Sequence, residues 1–275
     1  MTHDIATKRQ PATERSAVRR PAFDLRAVRR APALAFAIAG LAAFAQTPSR
    51  AADACMARSA RGIAPVIELY TSEGCNSCPP ADQWLSKLKS DPNVVALAFH
   101  VDYWDRLGWK DRFASAAFTE RQASQQASNG ARFSYTPQVV VDGQDRKDWW
   151  SLPTPIAERA AAPVEVVLTR DGERVMASIA ASARSPKRLA AYWAVTEQGH
   201  VTAVKAGENQ GATLHHDFVV RDYRTVPAWS ASADAAQTLA FTPATHSDPA
   251  HPRQVNLVVL DADTGRPVQA AKIGC

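Results

Sequence analysis

Two cysteines three residues apart, Cys75-Asn76-Ser77-Cys78, lie between an apolar run and an amphipathic stretch, and few folds accommodate all three pieces at once. Residues 64–71 (APVIELYT) have the β-branched and aromatic content of a strand. Ala81, Trp84, Leu85 and Leu88 then recur at helical spacing. That helix should end near Asp91-Pro92, and Pro80 suits its first position with Asp82 in the first turn. Residues 94–101 (VVALAFHV) are almost wholly apolar, as in a strand covered on both faces. A second helix is expected from Asp111 to about Ser128. A third strand is expected over 137–142, closed by the turn signal Asp142-Gly143. Strand, helix, strand, helix, strand reads as an α/β layer.

After Pro163 the period changes. Seven short strands are expected at 164–169, 173–180, 189–196, 216–226, 237–242, 254–261 and 268–273, with turns at Asp171-Gly172, 197–199 and Thr264-Gly265. The expectation is therefore an α/β thioredoxin-like domain over 55–162 followed by a β-sandwich-like all-β domain over 163–275.

Charge separates the first 54 residues from the rest. They hold nine of the 32 basic residues and four of the 27 acidic ones, which accounts for the whole net charge of +5 and leaves the remainder neutral. A neutral body without a basic cluster argues against nucleic acid as a partner. The segment 1–54 has a basic start, the apolar run 33–45 (ALAFAIAGLAAFA), and small residues offering cleavage after Ala45, Ala51 or Ala54. Thirteen apolar residues make a signal-peptide core and fall short of the roughly 20 that span a bilayer. The reading is an exported protein, periplasmic or secreted, with no stable membrane insertion once the signal is removed.

In an oxidising compartment four cysteines permit two disulfides. Cys55 and Cys275 stand at the two ends of the mature chain, and termini often meet, so a bridge between them is expected to close a very long loop. Cys75 and Cys78 carry the chemistry: a C-x-x-C after a strand and before a helix suits thiol–disulfide exchange, with Cys75 as nucleophile and Cys78 as resolving thiol. Thr136-Pro137 opens a strand expected to run antiparallel to the first. A cis Pro137 would pack on the cysteine pair and leave the Thr136 backbone free to pair with an extended client. Glu68 and His100 are candidate proton shuttles. Tyr103, Trp104 and Trp109 are candidate groove residues.

The stretches VIELYTSEGCNSCPPAD (66–82), HVDYWDRLGWKDRF (100–113), RFSYTPQVVVDG (132–143) and GENQGATLHHDFVVRDYRTV (207–226) resemble the secreted thioredoxin-like family known as domain of unknown function 1223. The resemblance covers about 64–272 and implies a thioredoxin-like domain followed by a β-rich domain in exported bacterial proteins. It implies no established reaction. Asn76-Ser77 differs from the pairs of well-known reductants and oxidants, so the motif does not set the direction of electron flow.

Three functions compete at this level. The first is a thiol–disulfide oxidoreductase without a cofactor, whose partners are thiol or disulfide clients and a redox partner. The second is copper or zinc handling through Cys75, Cys78 and His100. The third is a binding module in which the cysteine pair is a structural bridge and His215-His216 with Glu208-Asn209 contacts a partner. Pro79 stands where C-x-x-C-H needs histidine, which argues against haem attachment.

Overall fold

A computed structural model describes residues 55–153 and 159–275. The expected leader, 1–54, lies outside them. Strand β1 (Cys55–Arg58) is followed by β2 (Val66–Thr71), α1 (Pro79–Ser86), β3 (Val95–His100), α2 (Ala116–Ser128), β4 (Gln138–Val141) and the short β5 (Gln144–Asp145). The later strands are β6 (Val164–Asp171), β7 (Arg174–Ala181), β8 (Arg188–Glu197), β9 (His200–Ala203) and β10 (Thr213–His216). They continue with β11 (Val219–Ser230), β12 (Gln237–Phe241), β13 (Arg253–Asp261) and β14 (Pro267–Ile273).

Strands β2 and β3 pair in parallel, with Thr71 opposite His100, and β4 lies antiparallel on the other side of β2. Every residue of β2 and β3 is buried, because both faces are covered. Side chains alternate between those faces. Ile67, Leu69, Ala96 and Ala98 pack under Ala81, Trp84 and Leu85 of α1. Tyr70, Leu97 and Phe99 point the other way, toward Phe118 of α2. This alternation places Thr71 and His100 on the α1 face and Glu68 on the α2 face.

Helix α1 begins at Pro79, one residue earlier than expected, with Cys78 as its N-cap. Helix α2 begins later than expected. Ser115 is its N-cap, accepting from the amide of Ala117, and Asp111 lies outside the helix.

The expected α/β thioredoxin-like domain followed by a separate all-β domain is corrected by the sheet topology. The chain is mostly β-sheet, with two α-helices among the described residues. One eight-stranded sheet has the order β14-β13-β8-β11-β3-β2-β4-β5, so strands from both sides of the expected boundary lie in a single layer. The junction is the edge of β3. Val219 of β11 pairs in parallel with Ala98, and the Ala98 amide donates to the Phe218 carbonyl at 2.8 Å. Hydrophobic period shows that a segment is a strand but not which open edge it fills, and here the partner is over a hundred residues away.

A four-stranded sheet, β1-β6-β7-β12, covers the outer half of the large one. Its inward residues Val166, Leu168, Val175 and Ile179 pack with Trp193, Val195, Leu257 and Val259 in one apolar layer. Trp193 is the largest fully buried side chain and stacks on Phe241 with ring centroids 5.1 Å apart. The Cys55–Cys275 disulfide spans 220 residues and fastens β1 to the residue run beyond β14.

Candidate functional site

The connection from β2 to α1 carries the cysteine pair. Cys75 and Cys78 form a disulfide with Cα atoms 5.5 Å apart. Two backbone bonds shape the turn: the Cys75 amide donates to the Ser72 carbonyl at 3.1 Å, and the Cys78 amide to the Cys75 carbonyl at 3.2 Å. Gly74 is required by close approach, since a Cβ there would sit 3.0 Å from the Cβ of Trp104.

Helix α1 gives the sulfurs little direct help. Its first two residues are Pro79 and Pro80, which have no amide hydrogen, and the amides of Ala81 and Asp82 donate to the Cys78 carbonyl. No free helical N–H is left to stabilise a thiolate, and only the macrodipole remains.

The pair is covered. Cys75 and Cys78 are both 0% exposed, whereas Asn76 and Ser77 between them reach solvent. The β9–β10 connection is fastened to this turn by side-chain hydrogen bonds. Asn209 donates its side-chain amide to the carbonyls of Glu73 and Cys75, each at 2.9 Å. The Glu208 carboxylate accepts from the Asn76 amide at 3.2 Å. His216 is buried too, so Asn209 and His216, offered by the sequence as contacts to a partner, are instead part of the site's interior.

On the flank stands the Thr136-Pro137 segment. The bond between them is cis, as the sequence suggests. Ser77 Oγ lies 3.4 Å from Cys75 Sγ and donates to the Thr136 carbonyl at 3.5 Å. Trp104 Nε1 donates to Thr136 Oγ1 at 2.8 Å. The structure therefore brings Cys75, Cys78, Thr136, Pro137 and Trp104 together at one end of β2 and β4.

Beneath α1 lies a buried polar cluster. His100, which the sequence marks as a candidate, is 0% exposed, and its Nδ1 is 2.6 Å from Asp111 Oδ2. Asp111 also accepts from the amides of Glu73 and Phe113. Thr71 Oγ1 donates to Asp82 Oδ2 at 2.9 Å. Trp109 Nε1 donates to Glu73 Oε2 at 2.7 Å, so this tryptophan supports the cluster. His216 Nε2 lies 3.4 Å from Glu73 Oε1, and the rings of His100 and His216 meet edge to face with centroids 5.0 Å apart.

The electrostatics follow from burial and from these partners. Burial pushes the Asp82 carboxyl above its ordinary pKa. Burial disfavours charge on His100, but the adjacent Asp111 carboxylate outweighs it and raises the imidazole's pKa. The same pairing overcomes the burial of Asp111 and holds its pKa below the ordinary value.

Glu68 sits elsewhere, on the α2 face. Its carboxylate pairs with Arg121 and accepts from the hydroxyls of Tyr70 at 2.6 Å and Tyr192 at 2.7 Å. Burial together with the neighbouring Glu68 charge raises the pKa of both tyrosines well above normal. The sheet therefore separates Glu68 from His100 and Asp82.

Sequence reasoning missed Glu73 and Asp111 as site residues, and offered Asn209 and His216 only as contacts to a partner. Each is a polar residue in an irregular connection or at a strand end, where no period marks it as buried. The signal present was that all four fall within the segments that carry the family resemblance.

No curated protein matches this chain. Among solved structures, a crystallised protein from Agrobacterium tumefaciens is similar at 26% identity with a TM-score of 0.58, covering 78% of this chain and 96% of its own. HBP35 of Porphyromonas gingivalis shares the fold at 16% identity and a TM-score of 0.57, covering 78% of this chain and 76% of its own. The family model described as a protein of unknown function, DUF1223, matches residues 66–260, and with that span matched the chain belongs to the DUF1223 family.

Proposed function

We propose that Cys75 and Cys78 form a reversible dithiol–disulfide couple that exchanges with protein or small-molecule thiols in an oxidising, exported compartment. The observation that carries this reading is the contrast between the two disulfides. Closing a 220-residue loop restricts the unfolded chain by about 5 kcal/mol, whereas closing a three-residue step restricts it by only about 2 kcal/mol. Cys55–Cys275 is accounted for by stability, and Cys75–Cys78 contributes little by that route.

In the exchange step a client thiolate attacks Cys75 Sγ, the Cys75–Cys78 bond breaks, and Cys78 leaves as a thiolate. A second client thiol then displaces Cys75. The client ends as a disulfide and the couple as two thiols, with two electrons transferred. The reverse sequence reduces a client disulfide. Because Cys75 is fully covered, attack requires the turn to open, and the Glu208-Asn209 segment, bonded to the Cys75 carbonyl and the Asn76 amide, holds that turn in place. Ser77 and Thr136, beside the sulfur, are the groups a client backbone would meet.

Trapping with a Cys78→Ser variant tests the reading. Mixed disulfides with clients should accumulate on Cys75 in extracts of the exported fraction and vanish in Cys75→Ser. The burial of both cysteines favours a second reading, a structural bridge inside a binding module. A pair that stays oxidised in the folded protein at millimolar dithiothreitol, with no trapped adduct, would establish that second reading.

A further inference from the structure

The buried cluster beneath α1 contains more basic nitrogen than its hydrogen bonds use. His100 commits Nδ1 to Asp111, and its Nε2 has no hydrogen-bond partner although the residue is 0% exposed. His216 is 3% exposed; its Nε2 lies 3.4 Å from Glu73 Oε1 without hydrogen-bond geometry, and its Nδ1 has no hydrogen-bond partner. Asp82, on the helix above them, is 7% exposed and commits Oδ2 to Thr71. Leaving several buried polar atoms unsatisfied costs about 1–3 kcal/mol each, so their convergence calls for a ligand.

We infer that Asp82, His100 and His216 form a binding site for a divalent transition metal ion of the zinc class, separate from the cysteines. Ligand atoms from the three residues all lie within 4.8 Å of one another. A tetrahedral zinc ion with bonds of about 2.0–2.1 Å holds its ligands about 3.3 Å apart, so side-chain shifts of about 1 Å close the set. Two imidazoles and one carboxylate are a donor set that zinc accepts while keeping a fourth position open.

The surroundings match what such ligands need. Asp111 accepts from His100 Nδ1, which fixes the tautomer with Nε2 free for the ion, the carboxylate–histidine pairing typical around zinc ligands. Thr71 orients one Asp82 oxygen and leaves the other available. Glu73, itself held by Trp109, stands beside His216. A cleft of about 60 Å³ lined by Pro79, Asp82, Gln83, Leu214 and His216 borders two of the three ligands. The three come from α1, the end of β3 and the end of β10, so an ion there would tie the helix that follows the cysteines to both parts of the chain. The inference does not depend on the exchange reading, because it uses no sulfur.

The test is zinc and cobalt binding to the metal-stripped, fully oxidised mature protein, with both disulfides intact so that no thiolate can ligate. Calorimetry with zinc chloride should give one ion per chain, and cobalt should give the visible absorption of a tetrahedral nitrogen and oxygen site without thiolate charge-transfer bands. Asp82→Asn and His216→Gln should each weaken binding at least tenfold. The Cys75→Ser/Cys78→Ser variant should bind as the parent does, whatever becomes of client exchange. His100→Gln serves as a third variant if either of the others fails to fold. Stoichiometry near zero in the oxidised protein would overturn the inference. So would binding that appears only after reduction and disappears with the cysteines, or affinity unchanged in folded ligand variants.

Discussion

The side-chain amide of Asn209 donates to the carbonyl of Cys75 at 2.9 Å across 134 residues of sequence, fastening the β9–β10 connection onto the turn that holds the disulfide. The same amide reaches the Glu73 carbonyl. One side chain therefore makes two of the bonds that hold this connection on the turn.

Replacing it should expose the pair. Asn209→Ala removes two hydrogen bonds to buried carbonyls and should cost about 2 kcal/mol of stability. It should also speed reduction of Cys75–Cys78 by dithiothreitol by about tenfold, the rate factor that about 1.4 kcal/mol of easier opening gives. Alkylation mass spectrometry against time measures the rate. A rate equal to that of the parent would show that some other segment controls access.

Glu68 should matter for stability and not for exchange. Glu68→Gln leaves the Arg121 guanidinium buried without its counter-charge, a loss of about 3 kcal/mol. Urea denaturation measures that loss. Because Glu68 faces α2, the reduction rate of the cysteine pair should stay within about twofold of the parent, since no interaction worth more than a few tenths of a kcal/mol is removed there. A large drop in rate in a folded variant would restore Glu68 to the sequence-based role of proton shuttle.

A pH dependence should arise from Arg253, whose side chain is 3% exposed and pairs with Glu173. The hydrogen bond from Arg253 holds the Glu173 pKa below its ordinary 4.5. A depressed carboxyl pKa means that the unfolded chain takes up the proton first as pH falls. The pair's contribution is thus full above about pH 4.5 and is lost as pH drops through the lower, folded value. Because the carboxylate is half exposed, solvent screening limits the contribution to about 1 kcal/mol. Glu173→Gln should lower the urea midpoint at pH 7 and flatten the acid limb of the stability profile. A parallel downward shift at every pH would assign the loss to packing.

The terminal disulfide should be purely structural. A Cys55→Ser/Cys275→Ser variant should lose up to about 5 kcal/mol in denaturant titrations, the loop-closure value for a 220-residue separation. The reactivity of Cys75 should be unchanged in that variant under conditions where it remains folded. A changed rate would mean that the two bridges communicate.

The sequence made the elements more legible than their assembly. Strands β6, β7, β8, β12, β13 and β14 fall close to the expected spans because alternating or continuous apolar runs report burial directly. The short strands β9 and β10 were missed, since HVTA and TLHH carry little periodic signal. The cysteine pair and the Thr136-Pro137 segment could be placed at one sheet end because each is bound to a strand terminus. Glu68 and His100 appeared equivalent as buried titratable candidates. Only the parity of their positions in adjacent strands, set by the register of Thr71 with His100, sends them to opposite faces. The partnership of His100 with His216 was out of reach, because it depends on where a distant hairpin docks.

The short parallel contact between Val219 and Ala98 has a practical consequence for anyone who would divide this protein. A fragment stopped near residue 160 would leave the outer edge of β3 without the neighbour that accepts from the Ala98 amide, along with a bare apolar flank prone to self-association. Nor does the early half of the chain hold every partner its own strands need. It needs residues more than a hundred positions later, so the molecule is expected to assemble late and cooperatively.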